Sequence, residues 1–198
     1  MVIPDAGVLD RRSVVARLLR DRDGILVVTG LGSPSYDVHA AGDDEGNYYL
    51  WGAMGAAALV GLGLAQAQID RTVVVITGDG EQLMGLGGLA TVAVAAPANL
   101  VIVVLDNGHY GETGMQQSHT GFGLDLAAVA RAAGFAEAQT IVEEAEVETV
   151  AQSIREPATG PRFYAVKVRA ESLPRSLPPR DAVHGKNRLR AYLGFQVS

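Results

Sequence analysis

Three runs of apolar, mostly β-branched residues constrain the fold of this chain most strongly. They are Ile25–Thr29, Thr72–Thr77 and Leu100–Leu105. Apolar and polar residues do not alternate in them, as they would in a strand with one face in water. Strands that are apolar on both sides are typical of a parallel sheet covered by helices on both faces. The runs therefore predict the buried strands of an α/β domain.

Stretches with helical character separate these runs, at Arg12–Arg20, Ala53–Gln68 and Leu83–Ala96. The alternation of strand and helix predicts a doubly wound, mainly parallel sheet with helices on both faces. Lys167 interrupts the apolar pattern of the last expected strand, which we therefore place near a sheet edge. The elements expected in the second half are a helix from Asp125 to Ala133 stopped by Gly134, a strand Gln139–Val142, a helix Glu144–Arg155 and a strand Arg162–Val168.

A change in composition near residue 170 indicates the end of the domain. Prolines and arginines become frequent there, ahead of a short predicted helix at Lys186–Leu193. We interpret residues 1–170 as one domain and residues 171–198 as an arm. The arm either packs on its own domain or contacts another subunit.

Composition excludes several classes of function. The net charge of -6 argues against sequence-independent binding to nucleic acid or an anionic membrane. The absence of cysteine excludes disulfides, thiolate zinc sites and cysteine-ligated iron–sulfur clusters on this chain. The apolar stretch Met54–Ala67 is too short to span a membrane, and we interpret it as a buried helix. Met1–Asp10 does not resemble a signal peptide. The absence of cysteine fits a reducing cytoplasm, which is where we expect the protein.

Polar residues follow two neighbouring strands of the predicted sheet. Asp79 comes directly after the second run, and Asn107 follows the third. Ligands bind at the carboxyl edge of an open parallel sheet. Residues 81–98 have the length of one crossover helix with its turns, so the two strand ends can be neighbours. We therefore expect Asp79 and Asn107 to lie close together.

These residue types suit a magnesium ion bound together with a phosphate group. Asp79, Asn107 and a nearby backbone carbonyl would supply part of the octahedral oxygen shell that Mg²⁺ prefers. Gly78 and Gly80 allow the backbone to approach a ligand closely. The amide groups near Glu81, which open the next helix, would then face the phosphates. The alternative is a pair of ordinary turns in which Asp and Asn act as caps.

The spacing of these residues resembles the cofactor motif of the thiamine-diphosphate enzymes, in which Gly-Asp-Gly is followed by an Asn-Asn or Asp-Asn pair. Here the gap Glu81–Leu105 is 25 residues and the pair reads Asp-Asn. The resemblance implies that Mg²⁺ is bound by Asp79, Asn107 and the main-chain carbonyl of His109. It also implies that Tyr110 contacts the cofactor.

Two further segments are similar to parts of this family. Trp51–Ala56 resembles the segment beneath the bend of the cofactor, which implies that Met54 is the wedge between the two rings. The backbone of Gly52 and Met54 would then bind the aminopyrimidine. The loop after the first strand resembles a diphosphate-binding loop, with Thr29 or Gly30 at the phosphates, although a plain turn is the alternative there.

The resemblance covers the diphosphate-binding domain alone, over Gly24–Val168. Thiamine-diphosphate enzymes also need a domain that binds the pyrimidine and supplies an activating glutamate, and no other segment of the sequence resembles it. The resemblance therefore implies a β-subunit whose active site is completed by a separate pyrimidine-domain α-subunit, in a hetero-oligomer.

Within the family, the run Leu105–Gln116 looks most like phosphonopyruvate and sulfopyruvate decarboxylases, of which the sulfopyruvate enzyme divides its two domains between subunits. Glu112 departs from the pattern, since a small residue is expected there. The reaction implied is decarboxylation of a 2-oxo acid. His109 and His119 are candidates for proton transfer, because histidine titrates near neutral pH. An acetolactate-synthase-like carboligase subunit and a non-catalytic cofactor-binding module are the alternatives.

Overall fold

A computed structural model of the protein describes residues 9–196. Residues 1–8 lie outside this range, so the expectation that the chain begins without a signal peptide stays a prediction. Six parallel strands form the main sheet in the order β2-β1-β3-β4-β8-β7. The strands are β1 (Leu26–Thr29), β2 (Asn47–Tyr49), β3 (Val73–Gly78), β4 (Leu100–Asp106), the small antiparallel pair β5 (His109–Tyr110) and β6 (Gln116–Gln117), β7 (Glu137–Ile141) and β8 (Arg162–Lys167).

Helices cover both faces of the main sheet. They are α1 (Arg11–Leu18), α2 (Ser33–Ala40), α3 (Ala57–Ala67), α4 (Asp79–Met84), α5 (Gly88–Ala95), α6 (Leu126–Ala133), α7 (Glu144–Ser153) and α8 (Ala182–Tyr192). Alternate residues of each strand enter different cores: Val74 and Ile76 pack with α1, α2 and α7, whereas Val73 and Val75 pack with α3, α5 and α6. The prediction of a doubly wound α/β fold is confirmed, because both faces of the central strands are buried.

The polar region around residues 33–49 contains two elements that the sequence pattern did not reveal. Helix α2 begins at Ser33 with Pro34 in its first turn, and β2 forms an edge of the sheet. Asp37 is fully buried in α2, and His39 is half-buried in it. Both residues are shielded because α2 packs against α1 and β3.

Glycines interrupt one helix that the sequence predicts and delay the start of another. The expected helix Leu83–Ala96 is interrupted between α4 and α5, where the carbonyl of Gly55 approaches Gly85 so closely that a Cβ at Gly85 would lie 2.1 Å from it. The expected helix Ala53–Gln68 begins only at Ala57, because Gly52 and Gly55 both have positive φ angles. Met54 therefore lies in a loop and is 41% exposed, and it is not part of a buried helix.

The last strand, β8, pairs with β4 on one side and with β7 on the other. It lies one position in from the edge, which β7 forms. Two charged side chains fit this buried position because each has a partner: Lys167 pairs with Asp106, and Arg162 donates to the carbonyl of Ser153.

The arm, residues 171–198, is described as far as residue 196 and packs on its own domain. Its extended part contacts α1 and α2. The carbonyl of Pro174 accepts a hydrogen bond from Arg12, and Ser176 Oγ lies 2.8 Å from Nδ1 of His39. Trp51 donates to the carbonyl of Pro179 at 3.0 Å. Helix α8 then packs against β2. Within residues 9–196, no helix is long and apolar enough to cross a membrane.

Candidate active site

A cavity of about 180 Å³ lies at the carboxyl edge of the sheet. Strands β3 and β4 are neighbours there, with Gly78 opposite Leu105 in the register. Asp79 and Asn107 follow these strands, and both line the cavity, as the sequence predicted. The cavity brings together eight of the residues proposed from the sequence: Met54, Gly78, Asp79, Gly80, Glu81, Asn107, His109 and Tyr110.

The Asp79 carboxylate is almost completely buried, at 2% exposure, and two hydroxyl groups hold it in place. Oδ2 accepts hydrogen bonds from Ser118 Oγ and from Thr120 Oγ1, the latter at 3.0 Å. Both donors bind the same oxygen, and no side chain among the described residues donates to Oδ1. A carboxylate fixed through one oxygen in this way suits a metal ligand, because its other oxygen is left for a cation.

A second buried carboxylate, Asp106, lies beside Asp79. Thr120 Oγ1 is 2.7 Å from Asp106 Oδ1, so one hydroxyl proton is shared between the two acids. Lys167 Nζ pairs with Asp106 Oδ2 at 2.5 Å, and the Gly108 amide donates to Oδ1 at 3.0 Å. Burial raises the pKa of Asp79 above its usual value, and the charge of Asp106 raises it further. A divalent cation at Asp79 would oppose this shift, because it favours the ionised carboxylate.

Residues 107–110 form a tight turn into β5. The Asn107 side-chain oxygen accepts from the His109 amide at 2.9 Å, and Nδ1 of His109 lies 2.8 Å from the Asn107 carbonyl. Gly108 has a φ of 68°, which a side chain would strain. The His109 ring is thus held by the backbone. If Nδ1 carries the proton, Nε2 is the nitrogen able to accept another one.

Met54 and Tyr110 contribute apolar surface to the cavity. The ring of Tyr110 lies against Gly80, where an added Cβ would be 2.8 Å from Cδ1 and Cε1 of the ring. The same Cβ would be 3.9 Å from Cε of Met54. Gly80 is therefore required for the close approach of the Tyr110 ring, whereas Met54 lies at an ordinary contact distance from the same point.

Glu81 has a buried side chain, whereas the sequence suggested only its backbone amide as a ligand. Its carboxylate is 4% exposed, and Oε2 accepts from the amide of Leu31 at 2.5 Å. A Cβ at Gly30 would lie 2.1 Å from this oxygen. Burial raises the pKa of Glu81, and the Leu31 amide lowers it only in part. Glu81 therefore connects the start of α4 to the loop before α2.

Four predicted site residues lie outside the lining of the cavity. The Thr29 hydroxyl is buried and lies 2.6 Å from Ser35 Oγ, and the Gly30 carbonyl accepts from the same Ser35 at 2.8 Å. Leu31, Ser33 and Pro34 line the cavity in their place. Gly52 is exposed, as is His119, whose Nδ1 lies 3.1 Å from the Tyr110 hydroxyl.

Several residues at this site carry no signal in the local sequence. Ser118, Thr120 and Lys167 contact the two buried acids, and Arg11 lines the cavity from the start of α1. Arg11 and Lys167 are separated in sequence from the Gly-Asp-Gly motif. Only the sheet order brings them to it, so no local pattern marks them.

The described residues suit magnesium better than a metal held by protein alone. Residues 9–196 contain no group of three or more His, Asp or Glu side chains placed to hold a metal ion. Asp79 would be the charged ligand, with Asn107 beside it in the same cavity. Mg²⁺ commonly binds through one or two carboxylates and completes its shell with substrate phosphates.

Comparison with known proteins identifies the class to which this fold and site belong. Residues 38–168 match the family model of the thiamine pyrophosphate enzymes, C-terminal TPP binding domain. The chain belongs to this family. Two solved structures share the fold: the 4-hydroxybenzoylformate decarboxylase of Rhodococcus jostii RHA1 and the benzoylformate decarboxylase of Polynucleobacter necessarius. Their TM-scores are 0.69 and 0.66, and each is 22% identical to this chain. Each match covers 84% of this chain, and the two cover 33% and 34% of the solved chains, respectively.

More similar relatives are decarboxylases and decarboxylase subunits. The sulfopyruvate decarboxylase subunit beta of Methanothermobacter thermautotrophicus is 43% identical over 127 residues, 64% of this chain and 68% of that subunit. That of Methanococcus maripaludis is 30% identical over 89% of this chain and 95% of the subunit. The phosphonopyruvate decarboxylase of Streptomyces hygroscopicus is 48% identical over 55% of this chain, but only 27% of that enzyme is covered. The expected class, a subunit of a thiamine-diphosphate-dependent decarboxylase, is confirmed.

Proposed function

We propose that this chain binds the diphosphate of thiamine diphosphate through Mg²⁺ and, with a pyrimidine-binding partner subunit, decarboxylates a 2-oxo acid that carries a second acidic group. The observation that carries the proposal is the buried Asp79 carboxylate, which shares one cavity with Asn107. The relatives named for sulfopyruvate and phosphonopyruvate support the substrate class.

Asp79, Asn107 and the His109 carbonyl would hold the magnesium ion. Ser118 and Thr120 fix Asp79 through Oδ2, so little reorganisation is needed when a cation binds. Lys167 neutralises Asp106. Asp79 therefore remains the one acid of this buried pair without a basic partner.

When bound, thiamine diphosphate supplies the electron sink that decarboxylation of a 2-oxo acid requires. The chain's own contribution is to bind and orient the cofactor and to exclude water from it. Met54 and Tyr110 would contact the ring system, because both pack beside Gly80 in the cavity. Ser33 and Pro34 bring the amino-terminal end of α2 to the same cavity, where its dipole favours an anion.

Two histidines are candidates for moving protons. His109 lines the cavity, and its Nδ1 is held by the Asn107 carbonyl, which leaves Nε2 for exchange. His119 is connected to the cavity through the Tyr110 hydroxyl. We propose His109 for direct proton transfer and His119 for adjusting the Tyr110 hydroxyl, since only His109 lines the cavity.

The partner is part of the proposal. Relatives named as subunit beta indicate that the remaining domain is carried by another chain, so we propose a hetero-oligomer. A thiamine-diphosphate site lies between two domains, and a chain that provides one of them needs the other for full affinity. We also propose a cytoplasmic setting, in agreement with the absence of cysteine.

Calorimetric titration of thiamine diphosphate with MgCl₂ tests this function, using the chain alone and with a co-expressed pyrimidine-domain subunit. We expect binding that requires magnesium, tightens with the partner and disappears in Asp79→Ala. Asp125→Ala is the matched control, because Asp125 caps α6 through the Ala128 amide and does not line the cavity.

Release of CO₂ from sulfopyruvate, phosphonopyruvate and pyruvate by the same complex then identifies the substrate class. We expect turnover of an acid with a second anionic group to exceed that of pyruvate. Binding that is insensitive to magnesium or to Asp79→Ala would refute the proposed metal site. A loaded complex that releases no CO₂ from any 2-oxo acid would refute the activity.

A further inference from the structure

Arg11 is a buried arginine in the wall of the candidate active site. It is the first residue of α1 and is 5% exposed, yet it lines the same cavity as Asp79 and Asn107. A guanidinium group carries five N–H donors and a permanent positive charge. Burying it is costly unless those donors find acceptors. The partners of Arg11 therefore indicate what this residue is for.

The described residues leave this guanidinium largely unpaired. Its single ionic contact is with Asp37, where Nε and Oδ2 are 3.0 Å apart. This contact lacks hydrogen-bond geometry, so Nε is a buried donor without an acceptor. Among residues 9–196, the Arg11 side chain donates no hydrogen bond. Arg11 thus lines the cavity without donating a side-chain hydrogen bond to any residue that the structure describes.

The ion-pair partner of Arg11 is shared with a second arginine. Asp37 faces two arginines, because Arg12 Nε lies 3.2 Å from its other carboxylate oxygen. Arg12 has a further acceptor in the carbonyl of Pro174. One carboxylate therefore serves two guanidinium groups, and only Arg11 lines the cavity.

We propose that Arg11 binds a tetrahedral oxyanion inside this cavity. The planar guanidinium group matches phosphate-type anions through paired hydrogen bonds. The anion is either a phosphate of the cofactor or the sulfonate or phosphonate of the substrate, two sources with the same chemistry. This inference rests on the proposed function and adds a binding residue to it.

Titration calorimetry on the complex with its partner subunit distinguishes the two sources. The first probe is thiamine diphosphate with MgCl₂, and the second is sulfoacetate, an unreactive sulfonate, added to the cofactor-saturated complex. The test variant is Arg11→Gln. Arg12→Gln is the matched control, because it removes an equal charge from the same Asp37 but does not line the cavity.

We expect Arg11→Gln to lower the affinity of the complex for one of these probes by about 10- to 100-fold. This is the range for losing hydrogen bonds to a charged group. Arg12→Gln should change the same affinity by less than about threefold, because Arg12 does not line the cavity and so makes no direct contact with the anion. Weaker thiamine diphosphate binding assigns Arg11 to the cofactor, and weaker sulfoacetate binding alone assigns it to the substrate.

If Arg11→Gln and Arg12→Gln bind each probe with the same affinity, the inference is overturned. Arg11 then only links α1 and α2. Thermal unfolding of each variant shows whether the fold is retained. If Arg11→Gln fails to fold, Arg11→Lys replaces it, since lysine keeps the charge without the paired donors. Wild-type affinities for both probes in that variant would also overturn the inference. Failure of the wild-type complex to bind thiamine diphosphate would instead count against the proposed function.

Discussion

The polar cluster around Asp79, which we call the floor, and the arm are held on the same domain by different kinds of contact. The floor consists of Asp79, Asp106, Ser118, Thr120 and Lys167, and all of them except Lys167 are buried. The extended part of the arm is attached by hydrogen bonds and ion pairs at the surface, such as Arg175 with Glu112 at 3.0 Å. Buried polar contacts are costly to break, whereas exposed ones exchange with water at little cost.

This difference suggests a division of roles. The floor is fixed before any ligand arrives, because Ser118, Thr120 and Lys167 already hold its two acids in place. The arm lies near the rim, where Glu112 lines the cavity and Arg175 also packs over the ring of Tyr36 at 5.7 Å. We expect the arm to open more readily than the floor, and the following predictions test that expectation.

Asp106→Ala should have the largest effect on stability. The substitution removes the acceptor of Lys167, Thr120 and the Gly108 amide. We expect a loss of about 2–4 kcal/mol in the free energy of unfolding, below the usual cost of breaking a fully buried pair because Lys167 is partly exposed. Urea unfolding measures it. Asp106→Asn, which keeps an acceptor, should lose less, and a loss below about 1 kcal/mol in the alanine variant would show that the floor is not preorganised.

Glu81→Ala should have the next largest effect. It removes a buried carboxylate and leaves the half-buried Leu31 amide without this acceptor, at a cost of about 1–3 kcal/mol in the free energy of unfolding. The matched control is Glu112→Ala, which removes an exposed glutamate from the rim of the same cavity, for which we expect about 0–1 kcal/mol. Similar losses in the two variants would contradict the contrast between buried and exposed attachments.

Arg175→Ala should change global stability by about 0–1 kcal/mol, since its ion pair with Glu112 is exposed. Its effect on the arm should be easier to detect. Amide hydrogen exchange over residues 171–180 should become faster, while exchange in β3 stays unchanged, because local opening does not require unfolding of the sheet. Unchanged exchange in the arm would mean that other contacts, such as Trp51 with Pro179, are sufficient.

The smallest of these effects should be the loss of the contact between Asp43 and Arg188 of α8 at low pH. Burial alone would raise the pKa of Asp43, but hydrogen bonds from Arg188 and Tyr49 outweigh it and lower that pKa. Asp43 therefore stabilises the fold above its unfolded pKa, and this contribution is lost as pH falls through the lower folded pKa. Urea midpoints between about pH 5 and pH 2 should fall by less in Asp43→Asn than in the wild type. A larger acid effect in the variant would contradict this sign.

Much of the fold follows from the sequence, because the strongest signal in it is local. Long apolar strands such as Leu100–Asp106 cannot be solvated on either face, so they require helices on both sides. The Gly-Asp-Gly motif and Asn107 could also be assigned to one site, since parallel strands bring their carboxyl ends to one edge. The sequence pattern does not predict helix α2, because most of its residues are polar and their burial depends on packing against α1.

Local sequence by itself determined most strands of the main sheet, most helices and the placement of Asp79 and Asn107 at one edge of that sheet. The tertiary structure decided which distant residues complete that site. Lys167 reaches Asp106 only because β8 pairs with β4, and Arg11 reaches the cavity only because α1 packs on α2. The physical reason is that hydrophobic periodicity depends on residues that are neighbours in sequence. The partners of a buried charge depend instead on the order of the strands and the packing of the helices.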